Sequence, residues 1–117
     1  MSRRVPPHNL EAELSLLGAV VARPSQISDI ARQIDAADFY APHHAATWDL
    51  LVRMSMAGEQ IDTVILADKL QSTKTPLPGG KTVNDYVFEI NGAIASADAG
   101  RYVKIVAKHS TSRALLR

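Results

Sequence analysis

The sequence contains no cysteine, so it has no disulfide and no thiolate metal site, which suits a reducing cytoplasm. Aromatic residues are scarce at 5%. Leucine, isoleucine, valine and alanine must therefore fill whatever core the chain builds. No apolar run is long enough to span a bilayer. Arg3 and Arg4 stand at the N-terminus, but no apolar segment precedes Pro6, so the opening is not a secretory signal. Strand signals are weak: apolar and polar residues rarely alternate, and no two-residue hairpin turn separates apolar runs. There are no internal repeats. Net charge is also nearly absent, at +1 over 117 residues. That balance argues neither for nor against nucleic acid, but its distribution is uneven. Residues 99–117 hold five Lys/Arg and no acid, which leaves about −4 on the remainder.

What is present is helical periodicity. At 46% apolar and 21% charged, the chain has the composition of one ordinary globular domain. Pro6-Pro7 stops any earlier helix, so residues 1–8 read as a flexible arm and 9–117 as the folded domain. Asn9 stands as an N-cap, with Glu11 and Glu13 in the first turn as partners of the helix dipole. Leu10, Leu14, Leu17 and Val21 then recur at helical spacing to about Ala22, and Leu16, Ala19 and Val20 widen the stripe. A helix apolar on most sides is buried on most sides. Gly18 within it marks close approach of another helix.

Arg23-Pro24 ends this first helix. Ser25 caps a second, carrying Ile27, Ile30, Ala31 and Ile34. Phe39 and Tyr40 follow as core plugs. Pro42 opens a third helix to about Met56, with Trp48, Leu51, Val52 and Ser55 inward and Leu50 and Met54 beside them. Gly58 closes it as a left-handed cap. Asp62 caps a fourth helix, with Ile61 and Leu66 at staple spacing and Ala67 and Leu70 inward. Residues 71–81 are loop by composition. Thr82 and Asp85 form a capping box for a fifth helix, which carries Tyr86, Val87 and Ile90. Ser96 caps a sixth, with Tyr102, Val103, Ile105, Val106, Leu115 and Leu116. The reading is an all-α bundle of about six helices, the last two an antiparallel helical hairpin.

Few residues carry chemistry. Gly79-Gly80-Lys81-Thr82 ends like a phosphate-binding P-loop, but Thr75 stands where the first glycine belongs, and a proline-rich loop replaces the preceding strand. His43 and His44 are adjacent and diverge on a helix; His8 and His109 are remote, so no metal set forms locally. Glu11 and Glu13 diverge likewise and are no acid/base pair. Arg101, Lys104 and Lys108 share one face of the sixth helix. They make a stripe able to follow a phosphate backbone, though most such stripes are simply solvated.

The order of motifs is similar to the N-terminal domain of DnaB-type replicative DNA helicases over nearly the whole chain. The resemblance rests on Pro6-Pro7-His8-Asn9-Leu10-Glu11-Ala12-Glu13 with Leu17-Gly18; on Asp38-Phe39-Tyr40 with Pro42 and His44; and on Gly58 with Ile61-Asp62, Leu66-Ala67 and Leu70. Gly79-Gly80 with Tyr86, and Ser96-Ala97-Asp98-Ala99 with Tyr102, Ile105 and Val106, complete it. Ile65 departs from the family's usual threonine and Asp98 from its asparagine. The resemblance implies a non-catalytic domain with no cofactor of its own; ATP and magnesium would belong to an ATPase domain absent from a chain cut short at Arg117. It also implies a collar of six such domains, a trimer of dimers around single-stranded DNA, that receives the primase C-terminal domain and a helicase loader. The apolar surplus on the last two helices then assigns Ile90, Tyr102, Ile105 and Val106 to self-association, and Tyr86 and Leu116 to primase docking. A stand-alone nucleic-acid-binding protein using Arg101, Lys104 and Lys108 is the alternative.

Overall fold

The computed structural model describes residues 8–94 and 98–116. It contains six α-helices: α1 (Leu10–Ala22), α2 (Ile27–Ile30), α3 (Pro42–Met56), α4 (Thr63–Ser72), α5 (Val83–Ala93) and α6 (Ala99–Ala114). No strand occurs among the described residues. Among the described residues, single turns of 3-10 helix at Pro24–Gln26, Ala36–Asp38 and Pro78–Gly80 help fill the connections. No helix among the described residues is long and apolar enough to cross a membrane.

α1 is the post on which the rest is hung. Asn9 accepts from the Ala12 amide at 2.9 Å and starts the helix cleanly. From Ser15 to Val21 every residue is buried, and Leu16, Leu17 and Val20 have no exposed surface. Each such side chain contributes about 1.5–3 kcal/mol over leaving it in water. α5 and α6 both pack chiefly on α1, and α4 packs on α5. The expected hairpin of α5 and α6 therefore gains its main burial from α1, not from mutual contact: two short helices cover more apolar surface by sharing a third.

Gly18 shows why α5 can approach. A Cβ there would lie 2.9 Å from the Ile90 carbonyl oxygen and 3.0 Å from the Ala93 Cβ. A backbone carbonyl cannot swing aside as a side-chain tip can.

Local signals placed most helix ends. Asp62 accepts from the Ile65 amide at 2.8 Å. Thr82 and Asp85 cap each other's amides at 3.0 and 3.2 Å. Gly58, at φ +71°, lets its own amide and that of Glu59 reach back to Ser55 and Met54 and close α3. Two expectations change. Ser25 makes no cap; α2 is a single turn that starts after the Pro24–Gln26 turn without a side-chain cap, though Ile27, Ile30 and Ile34 are buried as expected. The Ser96 cap lies outside the described residues, and the α6 cap is Asp98, which accepts from the Arg101 amide at 3.2 Å. Of the arm expected at 1–8, residues 1–7 lie outside the described residues.

Gly18→Leu should lower the unfolding free energy by about 2 kcal/mol or more, as overpacking a filled core does. A urea melt that superimposes on wild type would show that α5 does not cross α1 at that point.

Candidate functional site

The polar chemistry of the domain gathers at one corner, residues 38–44, where the chain turns from the Ala36–Asp38 turn into α3. Pro42 occupies the first turn of α3, and the N-cap position is Ala41, whose side chain cannot cap. What holds the start of α3 comes instead from α1. Glu13 is 1% exposed. Its carboxylate accepts from the Tyr40 amide at 2.7 Å, the Ala41 amide at 3.2 Å and His44 Nδ1 at 2.9 Å. A negative charge at the positive end of α3, with three donors aimed at it, satisfies what burial would otherwise penalise. Burial pushes the Glu13 carboxyl up. The His44 imidazole and the two backbone amides pull it down further, so the group stays ionised below the usual carboxylate value.

Beside this clamp, Thr47 donates to the His43 carbonyl at 2.8 Å, and the Tyr86 hydroxyl lies 2.7 Å from Thr47 Oγ1. Thr47 and Tyr86 have no exposed surface. Burial pushes the Tyr86 phenol well above its ordinary value. Burial, then the neighbouring His44 and Lys81, push the His43 imidazole down to about 4. On the outer side of the corner, Asp38 Oδ1 accepts from Ser110 of α6 at 2.6 Å, and its carbonyl accepts from Arg113 at 2.6 Å. The Arg113 guanidinium lies over the Tyr40 ring, and His8 stacks on that ring at 4.0 Å. Among the described residues no buried side-chain nitrogen or oxygen lacks a partner.

The expected site residues scatter. Tyr86 moves from the docking surface into the core: a fully enclosed ring whose hydroxyl is already bonded presents nothing to a partner in this conformation. Ile90 and Val106 are core as well, packed inside the domain and so not at a self-association surface. Tyr102 and Ile105 are half-buried, and Leu116 is 60% exposed. Arg101, Lys104 and Lys108 are exposed on α6. Arg101 and Lys104 line an open groove with Asp98, Gly100 and Ile105. No group of three or more acidic or imidazole side chains among the described residues could hold a metal ion. Tyr40, expected as a core plug, is half-buried; Phe39 does fill the core, its ring 5.8 Å from that of Trp48.

Glu13 was not singled out beyond its place near the α1 dipole, yet the signal existed. It lies three, four and seven residues before Leu16, Leu17 and Val20, on the face α1 buries. A glutamate on a buried stripe has a fixed partner somewhere.

This geometry defines a class: a small all-α domain whose polar interior is structural and which shows no catalytic constellation among its described residues. The family model described as "DnaB-like helicase N terminal domain" matches residues 5–108, and the chain belongs to that family. It is 34% identical over 116 residues to the replicative DNA helicase DnaB of Treponema pallidum, covering 97% of this chain and 26% of that protein. It is 30% identical over 118 residues to the replicative DNA helicase DnaC of Bacillus subtilis, again 26% of that protein. The chain thus spans about a quarter of the length of these relatives. The crystal structure of the N-terminal domain of DnaB helicase from Mycobacterium tuberculosis superposes with a TM-score of 0.84 at 29% identity, over 96% of this chain and 77% of that one. The matched region is the N-terminal domain of the helicases, not their catalytic part.

Glu13→Gln should destabilise the fold by about 2–4 kcal/mol, because an amide faces one of its donors with another donor and the charge at α3 is lost. Both Glu13 and His43 have folded-state values below their unfolded ones. Protons therefore bind the unfolded chain better, and stability falls as the medium is acidified. The His43 component starts to be lost below about 6.5 and is gone near 4; the Glu13 component is lost below about 4.5. Urea midpoints measured across this range should decline, and His43→Gln should flatten the upper part of the decline. A Tyr86→Ala protein should lose about 3–5 kcal/mol, as large aromatic truncations in a core do. A circular-dichroism melt matching wild type would restore Tyr86 to the surface.

Proposed function

We propose that this domain is the assembly and docking module of a replicative DNA helicase. It joins six copies as a trimer of dimers in a collar and receives the primase C-terminal domain and a helicase loader. Membership of the family supports the reading, as do the names of the replicative helicases it resembles. The parent protein would carry ATP and magnesium in a separate ATPase domain, pass single-stranded DNA through the collar, and work in the cytoplasm at the replication fork.

The observation that carries the reading is an apolar surplus on α6 and in the turn just past its end. The core is complete without Leu115 and Leu116, which follow α6 and are 80% and 60% exposed, and Tyr102 and Ile105 on α6 are only partly covered. Two exposed leucines in the turn that closes a helix with a buried face support a second contact there. Self-association is then assigned to Tyr102, Ile105 and Leu115, and primase docking to Leu116.

A second reading, nucleic-acid binding by α6, is favoured by one fact: Arg101, Lys104 and Lys108 are exposed and form no ion pair among the described residues. Three cations release few counterions, so any such binding by the isolated domain should be weak and steeply salt-dependent.

Leu115→Glu/Leu116→Glu should shift sedimentation toward the monomer while leaving the melting temperature nearly unchanged, since both side chains are exposed. Ile105→Glu should do the same with some loss of stability. A wild-type domain that stays monomeric at high concentration would refute the assembly role. Leu116→Ala should weaken binding of the cognate primase domain by titration calorimetry without altering self-association.

A further inference from the structure

α6 is two helices in one by the way it is held. Its first half is seated by burial: Ala99, Val103 and Val106 are inside the core. After Val106 the pattern ends. No residue from 107 to 116 is buried, and the segment Lys108-His109-Ser110-Thr111-Ser112-Arg113 has no apolar stripe with which to hold itself down. Yet this half lies against the body. Ala107 still packs against the core; beyond it the contacts are polar and converge on one corner: Ser110 to Asp38 Oδ1 at 2.6 Å, Arg113 to the Asp38 carbonyl at 2.6 Å, and the Arg113 guanidinium over the Tyr40 ring.

Asp38 is well placed to act as a fixed anchor. Its other carboxylate oxygen accepts from the Asp35 amide at 2.8 Å, and Asp35 caps the Ala37 amide at 2.9 Å, so the capping box locks its rotamer. The following residues are fixed in turn, since the Tyr40 and Ala41 amides are held by Glu13 and Phe39 is in the core. The corner is held by burial and hydrogen bonds, whereas the outer half of α6 has no buried residue. His8 stacks on Tyr40 at 4.0 Å with an interplanar angle of 9°, so the entry of the chain meets the same ring.

We infer that Asp38, Ser110, Arg113 and Tyr40 form a latch that docks the outer half of α6, and that this half opens as a unit while the core stays folded. The docked state fixes where Leu115 and Leu116 are presented; the open state frees them. This is a conformational device of the fold and holds whether or not the domain assembles through α6. Hydrogen bonds broken at a surface corner open locally at far less free energy than global unfolding, so the open state is reached without melting. An apolar seat would not behave so, because its loss propagates into the core.

The test is amide hydrogen exchange, residue by residue, on the whole domain with Ser110→Ala/Arg113→Ala. Alanine favours helix more than serine or arginine, so helix propensity alone would slow exchange. Loss of the latch should instead accelerate the amides of residues 109–114 on the order of tenfold or more, the worth of the bonds removed. The amides of Leu16, Leu51 and Ile90 should keep their wild-type rates. Tyr40→Leu, which keeps apolar bulk but removes the ring under Arg113, should give the same pattern at smaller amplitude. Unchanged exchange at 109–114 in the double variant would overturn the latch. Acceleration spread evenly through the core would overturn it equally, because the outer half would then be part of the global fold.

Discussion

An ionised carboxylate held inside an apolar bundle is the constraint on which the rest of this structure depends. Glu13 is almost wholly enclosed, and an unpaired charge in such a place would unfold a domain of this size. It is tolerated because the chain returns to it. Tyr40 and Ala41 bring two backbone amides, and His44 brings a ring nitrogen. The same contacts hold the residues that lead into α3, whose N-cap Ala41 has no side chain to cap with. One interaction therefore pins α1 to the start of α3 and fixes the corner between them. Tyr86 then ties α5 to that corner through Thr47, and Asp38 ties α6 to it through Ser110 and Arg113. Replacing the clamp with apolar residues of similar volume could preserve stability, but it would lose the directionality that sets the register of the corner.

Burial on α1 and bonding at the corner divide the work. The apolar contacts of Leu16, Leu17, Val20, Leu51, Leu66 and Ile90 supply most of the stabilisation but tolerate sliding, since they are non-directional. Gly18 limits that freedom where α5 crosses, because the Ile90 carbonyl fits there only against a missing side chain. The corner limits it where α3 and α6 meet α1. Between the two, a domain with few aromatic residues reaches a single packing. What it then leaves outside is scattered: Met56, Val64, Phe88 and, just past the end of α6, Leu115 and Leu116.

How much of this could be read from the sequence depended on range. Asn9, Gly58, Asp62 and the Thr82–Asp85 pair act on amides within a few residues, so spacing alone revealed them. The number of helices and their buried stripes followed from the 3.6-residue period. Ser25 was misjudged because a proline one residue earlier favours a 3-10 turn over a capped helix start. The corner was invisible for a different reason. The bonds to Glu13 span 27, 28 and 31 residues, and those from α6 to Asp38 span 72 and 75. No local pattern encodes such pairings. Tyr86 shows the same limit: its place one turn before Ile90 put it on the buried face, but only the partner Thr47, 39 residues away, explains how its hydroxyl is accommodated there. Ile90 and Val106 looked like surplus apolar surface because the shared role of α1 in covering both α5 and α6 could not be read from either helix.

Hydrogen bonds to Glu13 outweigh its burial, so that the group is a charged clamp and not a buried acid. The most direct measurement is the titration of the Glu13 side-chain carboxyl carbon by NMR in the folded domain. A charged clamp gives a midpoint below the ordinary value of 4.5, with the Tyr40 amide proton shifting in step as its acceptor is neutralised. A midpoint above 4.5 would mean that burial wins, that the carboxyl is held neutral by the core, and that the corner is organised by something other than this charge.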